Sequence, residues 1–255
     1  MGYRLCVLRA PGTNCDKETA FAFESLGLSA EIVHVKKFMD GKNAFSRYDG
    51  LVIPGGFSFG DHVRAGALLG RMLKERFSDE LLEFSEEGKP VLGICNGFQV
   101  LVECGLLPGP ELEAALTTNL SSKFECRWTN LKVENTGCIF TQGLEDTITL
   151  PVAHGEGRFL VNPNDLKEII KKKQVAFRYA LETGGKAGGR YPENPNGALD
   201  DIAGICNQTG VVLGLMPHPE RALYKYMHPR WTVQGDSSFG DGYQIFKNMV
   251  EYIKG

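Results

Sequence analysis

Residues 91–99 read VLGICNGFQ, an apolar run followed by a cysteine between two glycines. The apolar run at 90–94 predicts a buried strand, and the residues from 97 to 104 predict a helix. The glycines on either side of Cys95 permit a sharp turn between the two elements, because larger side chains would obstruct it. The stretch therefore predicts a strand–turn–helix unit with a cysteine at the turn.

The same alternation of strand and helix runs through the first hundred residues. Further strands are predicted at 3–9, 30–35 and 50–53, and further helices at 16–26 and 65–86. This order favours parallel βαβ units, so we predict an α/β fold with a doubly wound, mostly parallel sheet and flanking helices. Ligands bind such sheets at the carboxyl ends of the strands. Functional groups are therefore expected just after residues 9, 53 and 94.

The second half of the chain has shorter strands, predicted at 131–134, 147–152, 175–179, 202–206 and 211–215. The segment 183–201 is rich in glycine, proline and asparagine, which is typical of a surface loop. We find no repeat and no linker strong enough to divide the chain. A single domain over residues 1–255 is predicted.

The composition is that of an ordinary globular protein, with 42% hydrophobic and 23% charged residues. A net charge of −3 gives no general basic surface, so no nucleic-acid partner is expected. The seven cysteines include no C-x-x-C pair, which weakens the case for a zinc ribbon or a disulfide framework. No apolar run is long enough for a signal peptide or a membrane span. We expect a cytoplasmic protein with no membrane partner.

Cys95 is either a small core residue or a nucleophile. A cysteine on a strand-to-helix turn between glycines resembles a nucleophile elbow, with sulfur in place of the serine oxygen. The N-terminus of the following helix favours a thiolate. The backbone N–H of Asn96 would point at the oxyanion that forms when the sulfur attacks a carbonyl. The stretch alone does not decide between the two interpretations.

His218 lies between two prolines in GLMPHPERA (214–222). The prolines restrict the backbone, so the imidazole stands on a stiff segment that follows a predicted strand. Glu220 would accept a hydrogen bond from one ring nitrogen and so set the tautomer. An isolated P-H-P-E is more typical of a solvated turn, but a nucleophile in the same chain favours a catalytic pair.

Two more stretches contain candidate site residues. VIPGGFSFGD (52–61) places Gly55 and Gly56 directly after a strand, where Gly56 is a candidate second oxyanion donor. PVAHGEGRF (151–159) contains a second H-x-E pair, His154 and Glu156. Neither H-x-E pair is followed by the P-C-x-x-C of a zinc deaminase, and H-E-x-x-H is absent. No metal site is expected.

In combination, G-x-C-x-G-x-Q, P-H-P-E and P-G-G-F resemble the motifs of the class I, or triad, glutamine amidotransferases. The stretches FECRW, AHGEGR and ENPNG resemble more narrowly the glutaminase subunits of phosphoribosylformylglycinamidine synthases, which serve purine biosynthesis. The similarity covers almost the full length of the chain. It implies a Rossmann-like α/β sheet, in agreement with the order of strands and helices.

The resemblance implies a role for each matching residue. Cys95 would attack the side-chain amide of L-glutamine to form a glutamyl thioester, His218 would activate the thiol and protonate the ammonia, and Glu220 would orient the imidazole. Backbone N–H groups of Gly56 and Asn96 would bind the oxyanion. The full set of implied oxyanion and substrate-binding residues is Gly55, Gly56, Asn96, Gln99, His154, Gly155 and Gly157.

The resemblance also implies partners. Ammonia would pass to a separate synthetase subunit, which uses ATP and Mg²⁺ to convert formylglycinamide ribonucleotide into the amidine, and a small third subunit commonly completes the complex. No cofactor is expected in this chain, in keeping with its lack of a G-x-x-x-x-G-K-[ST] phosphate loop. We expect a free subunit that is weak as a glutaminase until the synthetase contacts it.

Three alternatives stay open. The same triad would serve an amidotransferase with a different acceptor, and an inert regulatory or scaffolding subunit would keep the fold without turnover. An α/β-hydrolase with a cysteine nucleophile is less consistent with the chain order, because its acid normally precedes the histidine, whereas Glu220 follows His218.

Overall fold

The computed structural model describes residues 2–39, 45–134, 137–233 and 238–255. Within these ranges lie two β-sheets and five α-helices. The strands are β1 (Arg4–Arg9), β2 (Ser29–His34), β3 (Gly50–Ile53), β4 (Val91–Ile94), β5 (Ala114–Thr117), β6 (Glu125–Val133), β7 (Thr147–His154), β8 (Arg158–Val161), β9 (Val175–Ala180), β10 (Ile202–Cys206) and β11 (Val212–Leu215). The helices are α1 (Asp16–Glu24), α2 (Ala67–Glu86), α3 (Asn96–Glu103), α4 (Pro163–Lys171) and α5 (Tyr243–Lys254).

The large sheet has nine strands in the order β2-β1-β3-β4-β11-β10-β9-β6-β7. The strands from β2 to β11 pair in parallel. β3, β4 and β11 are buried along their whole length, as expected for central parallel strands with both faces covered. From β11 onward each pairing is antiparallel, so the sheet is mixed. The small sheet pairs β5 with β8.

Helices cover both faces of the parallel half. The chain passes from β1 through α1 to β2 in one direction across the sheet, and from β3 through α2 to β4 in the other. Because such crossovers are right-handed, α1 and α2 lie on opposite faces. α5 joins α1, where Phe23 and Phe246 meet edge to face, and α3 joins α2. The predicted doubly wound α/β fold is confirmed.

The predicted elements of the first hundred residues agree with the observed ones to within two residues at each end. Four elements beyond residue 105 were not predicted: β5, β8, α4 and α5. The predicted start of β6 at 131 was also wrong, because the strand begins at Glu125. Its first residues are mostly polar and partly exposed, so no apolar run marks them. The prediction of a single domain stays a prediction.

The segment 183–201 is not simply the surface loop that its composition predicted, because Asn194 and Asn196 are buried. Asn196 Nδ2 donates to the carbonyl oxygen of Gly157 at 2.8 Å and to Oη of Tyr179 at 3.0 Å. Buried polar groups need such partners, and the two asparagines provide them from within the loop. The loop therefore holds the backbone at Gly157 in place through Asn196.

The parallel half of the sheet brings four loops together. β1, β3, β4 and β11 run in the same direction, so the residues after Arg9, Ile53, Ile94 and Leu215 meet at one edge. The first three positions were predicted from the order of strands and helices. None of the described helices is both long enough and apolar enough to cross a membrane.

Candidate active site

Cys95 stands between β4 and α3 on a strained backbone. Its φ of 50° and ψ of −102° are unusual for a residue with a side chain, and such strain is concentrated at functional sites. A Cβ atom on Gly97 would lie 1.8 Å from the carbonyl oxygen of Ile53, so only glycine lets α3 begin this close to β3. Because Asn96 is the first residue of α3, its backbone N–H has no acceptor within that helix.

His218 and Glu220 form a buried pair after β11. Nδ1 of the imidazole lies 2.6 Å from Oε1 of Glu220, and the backbone N–H of His218 donates to the carbonyl oxygen of Pro151 at 2.8 Å. Burial alone lowers the pKa of His218, but the carboxylate of Glu220 and the interactions with Cys95 and Cys15 raise it well above its usual value. A protonated imidazole favours a neighbouring thiolate.

The structure brings Cys95, His218 and Glu220 close to one another, and their catalytic roles stay a prediction. Sγ of Cys95 lies 3.8 Å from the carbonyl oxygen of Ala153, the strand residue before His154. Nε2 of His218 is buried and has no hydrogen-bond partner in the described chain. The Cys95 thiol is close enough to His218 to raise the pKa of the imidazole, although no hydrogen bond of normal geometry joins Sγ to Nε2.

The loop after β3 presents Gly55 and Gly56 beside this pair. Gly56 has a φ of 148°, and a Cβ atom there would lie within 2.9 Å of backbone atoms of residues 12–14. Two backbone hydrogen bonds tie the loops after β1 and β3 together: Phe57 N donates to Gly12 O at 3.0 Å, and Cys15 N donates to Gly55 O at 3.2 Å. The loop after β1 therefore fixes the position of the predicted oxyanion donor.

A cavity of about 140 Å³ opens beside Cys95. The predicted residues that line it are Gly56, Cys95, Gln99, His154 and Gly155. Gln99 is held from both ends, since its Oε1 accepts a hydrogen bond from Asn96 Nδ2 at 3.0 Å and its Nε2 donates to the carbonyl oxygen of Glu156. Gly55, Asn96 and Gly157 are not among the lining residues.

The sequence did not predict Asn119, which organises the 154–157 segment. Its Oδ1 lies 3.1 Å from Nδ1 of His154 and accepts a hydrogen bond from Gly157 N at 2.9 Å, while its Nδ2 donates to His154 O at 2.9 Å. Burial, aided by the charge of His218, lowers the pKa of His154 to about 3. His154 is therefore a neutral ring held by Asn119.

Cys15 is a second thiol at the site that no motif singled out. Arg221 Nη2 donates to its Sγ at 3.1 Å, and burial raises the pKa of the thiol. Donor atoms of Cys15, His218 and Glu220 lie within 4.8 Å of one another. These atom types suit Zn²⁺, but Nδ1 of His218 and Oε1 of Glu220 are already joined by a hydrogen bond. That no metal is needed stays a prediction.

Comparison with known proteins places this geometry in a family. Residues 3–253 match the family model for the CobB/CobQ-like glutamine amidotransferase domain. The protein named phosphoribosylformylglycinamidine synthase subunit PurQ from Archaeoglobus fulgidus is 46% identical, with 98% of this chain and 97% of that protein covered. Its namesake from Dehalococcoides mccartyi is 43% identical over 97% and 96% of the two chains. The chain belongs to the PurQ family of glutamine amidotransferases.

A solved structure extends the agreement with the PurQ family to three dimensions. One chain of the structure of PurLQS from Thermotoga maritima superposes with a TM-score of 0.76 at 35% identity, and 99% of each chain is covered. A glutamine amidotransferase from the same organism shares the fold at 15% identity and a TM-score of 0.54, over 91% of this chain and 81% of that one. The predicted class I amidotransferase fold and PurQ resemblance are confirmed.

Proposed function

We propose that this chain is the glutaminase subunit of a phosphoribosylformylglycinamidine synthase and acts in purine biosynthesis. The observation that carries the proposal is the strained elbow at Cys95, which shares one sheet edge with the bonded His218–Glu220 pair. The PurQ relatives, which match over nearly their whole length, support the choice of synthase.

The first half of the reaction releases ammonia. The thiolate of Cys95 attacks the side-chain carbonyl carbon of L-glutamine, and the backbone N–H groups of Gly56 and Asn96 bind the oxyanion. His218, oriented by Glu220 through Nδ1, gives a proton from Nε2 to the amide nitrogen. The carbon–nitrogen bond breaks, ammonia leaves, and a glutamyl thioester on Cys95 remains.

The second half regenerates the enzyme. His218 accepts a proton from a water molecule, whose oxygen attacks the thioester carbonyl through the same oxyanion site. The carbon–sulfur bond breaks, the Cys95 thiolate leaves, and the new carboxylic acid loses the second proton of the water to solvent and departs as glutamate. The raised pKa of His218 keeps the proton available for the first half.

The ammonia is used by a partner. A synthetase subunit receives it and, with ATP and Mg²⁺ bound in its own site, converts formylglycinamide ribonucleotide into the amidine, while a small third subunit completes the complex. The assembly is cytoplasmic, and this chain needs no cofactor of its own. Transfer from protein to protein keeps the ammonia from being protonated in bulk water.

Replacing the nucleophile tests the proposal. In the assembled complex, Cys95→Ala should lower glutamine-dependent amidine synthesis by a factor on the order of 10⁴ or more, while synthesis from added ammonium salts continues. Cys126→Ala is the matched control, because Cys126 is an exposed thiol on β6 that does not line the cavity. Glutamate release and amidine formation should be measured separately.

Two results would overturn the assignment. Undiminished glutamate release by Cys95→Ala would show that another group is the nucleophile. If the wild-type chain released glutamate only with a synthetase for a different acceptor, the triad would stand but the choice of synthase would be wrong.

A further inference from the structure

Two carboxylates share the small cavity in which glutamine would react. Asp61, from the loop after β3, and Glu156, from the connection between β7 and β8, both line the 140 Å³ cavity beside Cys95. Neither takes part in an ion pair with a lysine or arginine among the described residues. The cavity therefore contains negative charge that the described part of this chain does not neutralise.

The hydrogen bonds to these carboxylates come from neutral groups. Glu156 Oε2 accepts from the backbone N–H of Ala65 at 3.1 Å, and Asp61 Oδ1 is 3.5 Å from Nδ2 of Asn96. Burial and the charge of Glu156 raise the pKa of Asp61 to about 6. Two close carboxylates without a counter-charge destabilise each other, and a cation between them relieves the repulsion.

The backbone that presents Asp61 is unusual. Phe59, Gly60 and Asp61 have φ values of 55°, 69° and 52°, and Phe59 N donates to the carbonyl oxygen of Pro11 at 2.6 Å. Consecutive residues in the left-handed region persist only when the surroundings enforce them. The fold thus maintains a strained loop that places a carboxylate at the cavity.

Free glutamine has a single cationic group, its α-ammonium. We propose that Asp61 and Glu156 bind this ammonium and thereby select the free amino acid over amides that lack the cation. The inference rests on the proposed glutaminase function and assigns the amino-acid end of the substrate to this carboxylate pair. Gln99 links the pair to the nucleophile elbow, since it bonds both Asn96 and the backbone of Glu156.

A charge-removing variant tests the subsite. Asn tolerates a positive φ, so Asp61→Asn removes the charge while the strained backbone is kept. The synthetase complexes of wild type, Asp61→Asn, Glu156→Gln and the control Glu75→Gln should be assayed with L-glutamine and with glutaramate, which is glutamine without its amino group. Glu75 is an exposed carboxylate on α2.

We expect kcat/KM to fall for L-glutamine and not for glutaramate. Each site variant should raise the KM for L-glutamine roughly 10- to 100-fold, the range for a hydrogen bond to a charged group, with a much smaller change in kcat. The kcat/KM for glutaramate should stay within about threefold of wild type, so that discrimination between the two amides falls. Glu75→Gln should behave as wild type.

The proposal would be overturned if the ratio of kcat/KM for glutamine to kcat/KM for glutaramate were unchanged in both site variants. This includes an equal fall in kcat/KM for both substrates, which indicates a distorted site. If Asp61→Asn lacks a cooperative thermal transition, that variant is not folded, and the result for Glu156→Gln alone decides whether the proposal stands. A wild-type complex that hydrolyses neither amide would instead overturn the proposed function, and this inference with it.

Discussion

At the scale of single residues, the site depends on backbone positions that only certain residues can occupy. Cys95 has a positive φ that few side chains adopt, and Gly56 lies so close to the loop after β1 that a Cβ atom would not fit. The strain at Cys95 aims the sulfur, and the space left at Gly56 places a backbone N–H. The proposed mechanism therefore requires a missing side chain at Gly56 as well as the side chain of Cys95.

Comparing Gly56→Ala with a control glycine that has a positive φ and no close neighbours should separate the effect of this crowding from the cost of a positive φ. The added Cβ meets three backbone groups within 2.9 Å, so the loop must move and carry the oxyanion donor with it. We expect kcat for glutamine hydrolysis to fall about 10²- to 10³-fold. Gly105→Ala is the matched control, because Gly105 has a φ of 85° and open space around it.

Gly105→Ala should lower the melting temperature through backbone strain and leave kcat intact. Equal kcat values in wild type and Gly56→Ala would show that Gly56 does not provide the donor. The measurement is steady-state glutamate release in the assembled complex, with thermal unfolding recorded for each variant.

At the scale of elements, the parallel half could be predicted from the sequence and the rest only in part. β3 and β4 are short apolar runs in a strand–helix alternation, so their order placed the glycines after β3 and Cys95 at one edge. The order of elements did not place His218 there, because β11 joins the parallel strands only through the sheet topology. β5 and β8 pair only with each other, and no local signal specifies that partner. The role of Asn119 was equally hidden, because it depends on contacts with residues 35 and 38 positions away.

The loop at 191–198 supports the site, and Asn196→Ala should reveal this. The change leaves Tyr179 Oη and the Gly157 carbonyl without their shared donor in a buried place, and it removes an acceptor for Ala198 N. We expect a loss of about 1–3 kcal/mol in the free energy of unfolding and a severalfold rise in the KM for glutamine.

Asn207→Ala is the control for that experiment. Asn207 Oδ1 accepts hydrogen bonds from Val211 N and Val212 N in the turn before β11, at the sheet edge opposite the site. Its loss should lower stability without changing KM. A normal KM in Asn196→Ala would mean that the loop does not position the 154–157 segment, whatever its effect on stability.

At the scale of the whole molecule, the proposed catalytic groups lie together, but the hydrogen bonds among them are incomplete. Glu220 already holds one nitrogen of His218 at 2.6 Å, whereas the other nitrogen, Nε2, has no hydrogen-bond partner in the described chain. Catalytic hydrogen bonds are often long before the reactive complex forms. A hydrogen bond between Nε2 and Sγ is the contact that we expect the reactive complex to complete.

This geometry predicts that the free chain is a slow glutaminase and that its synthetase stimulates it. Completing the nucleophile–base contact should raise glutamate release roughly 100-fold, the lower end of the range that general acid–base catalysis contributes. The rate should be measured for the chain alone, with the synthetase, and with the synthetase plus formylglycinamide ribonucleotide and ATP, with Cys95→Ala as the blank in each case. Because stimulation acts on chemistry, it should appear mainly in kcat. Equal kcat values in all three conditions would show that the synthetase is not needed to complete the site. The contact between His218 Nε2 and Cys95 Sγ would then form on substrate binding alone.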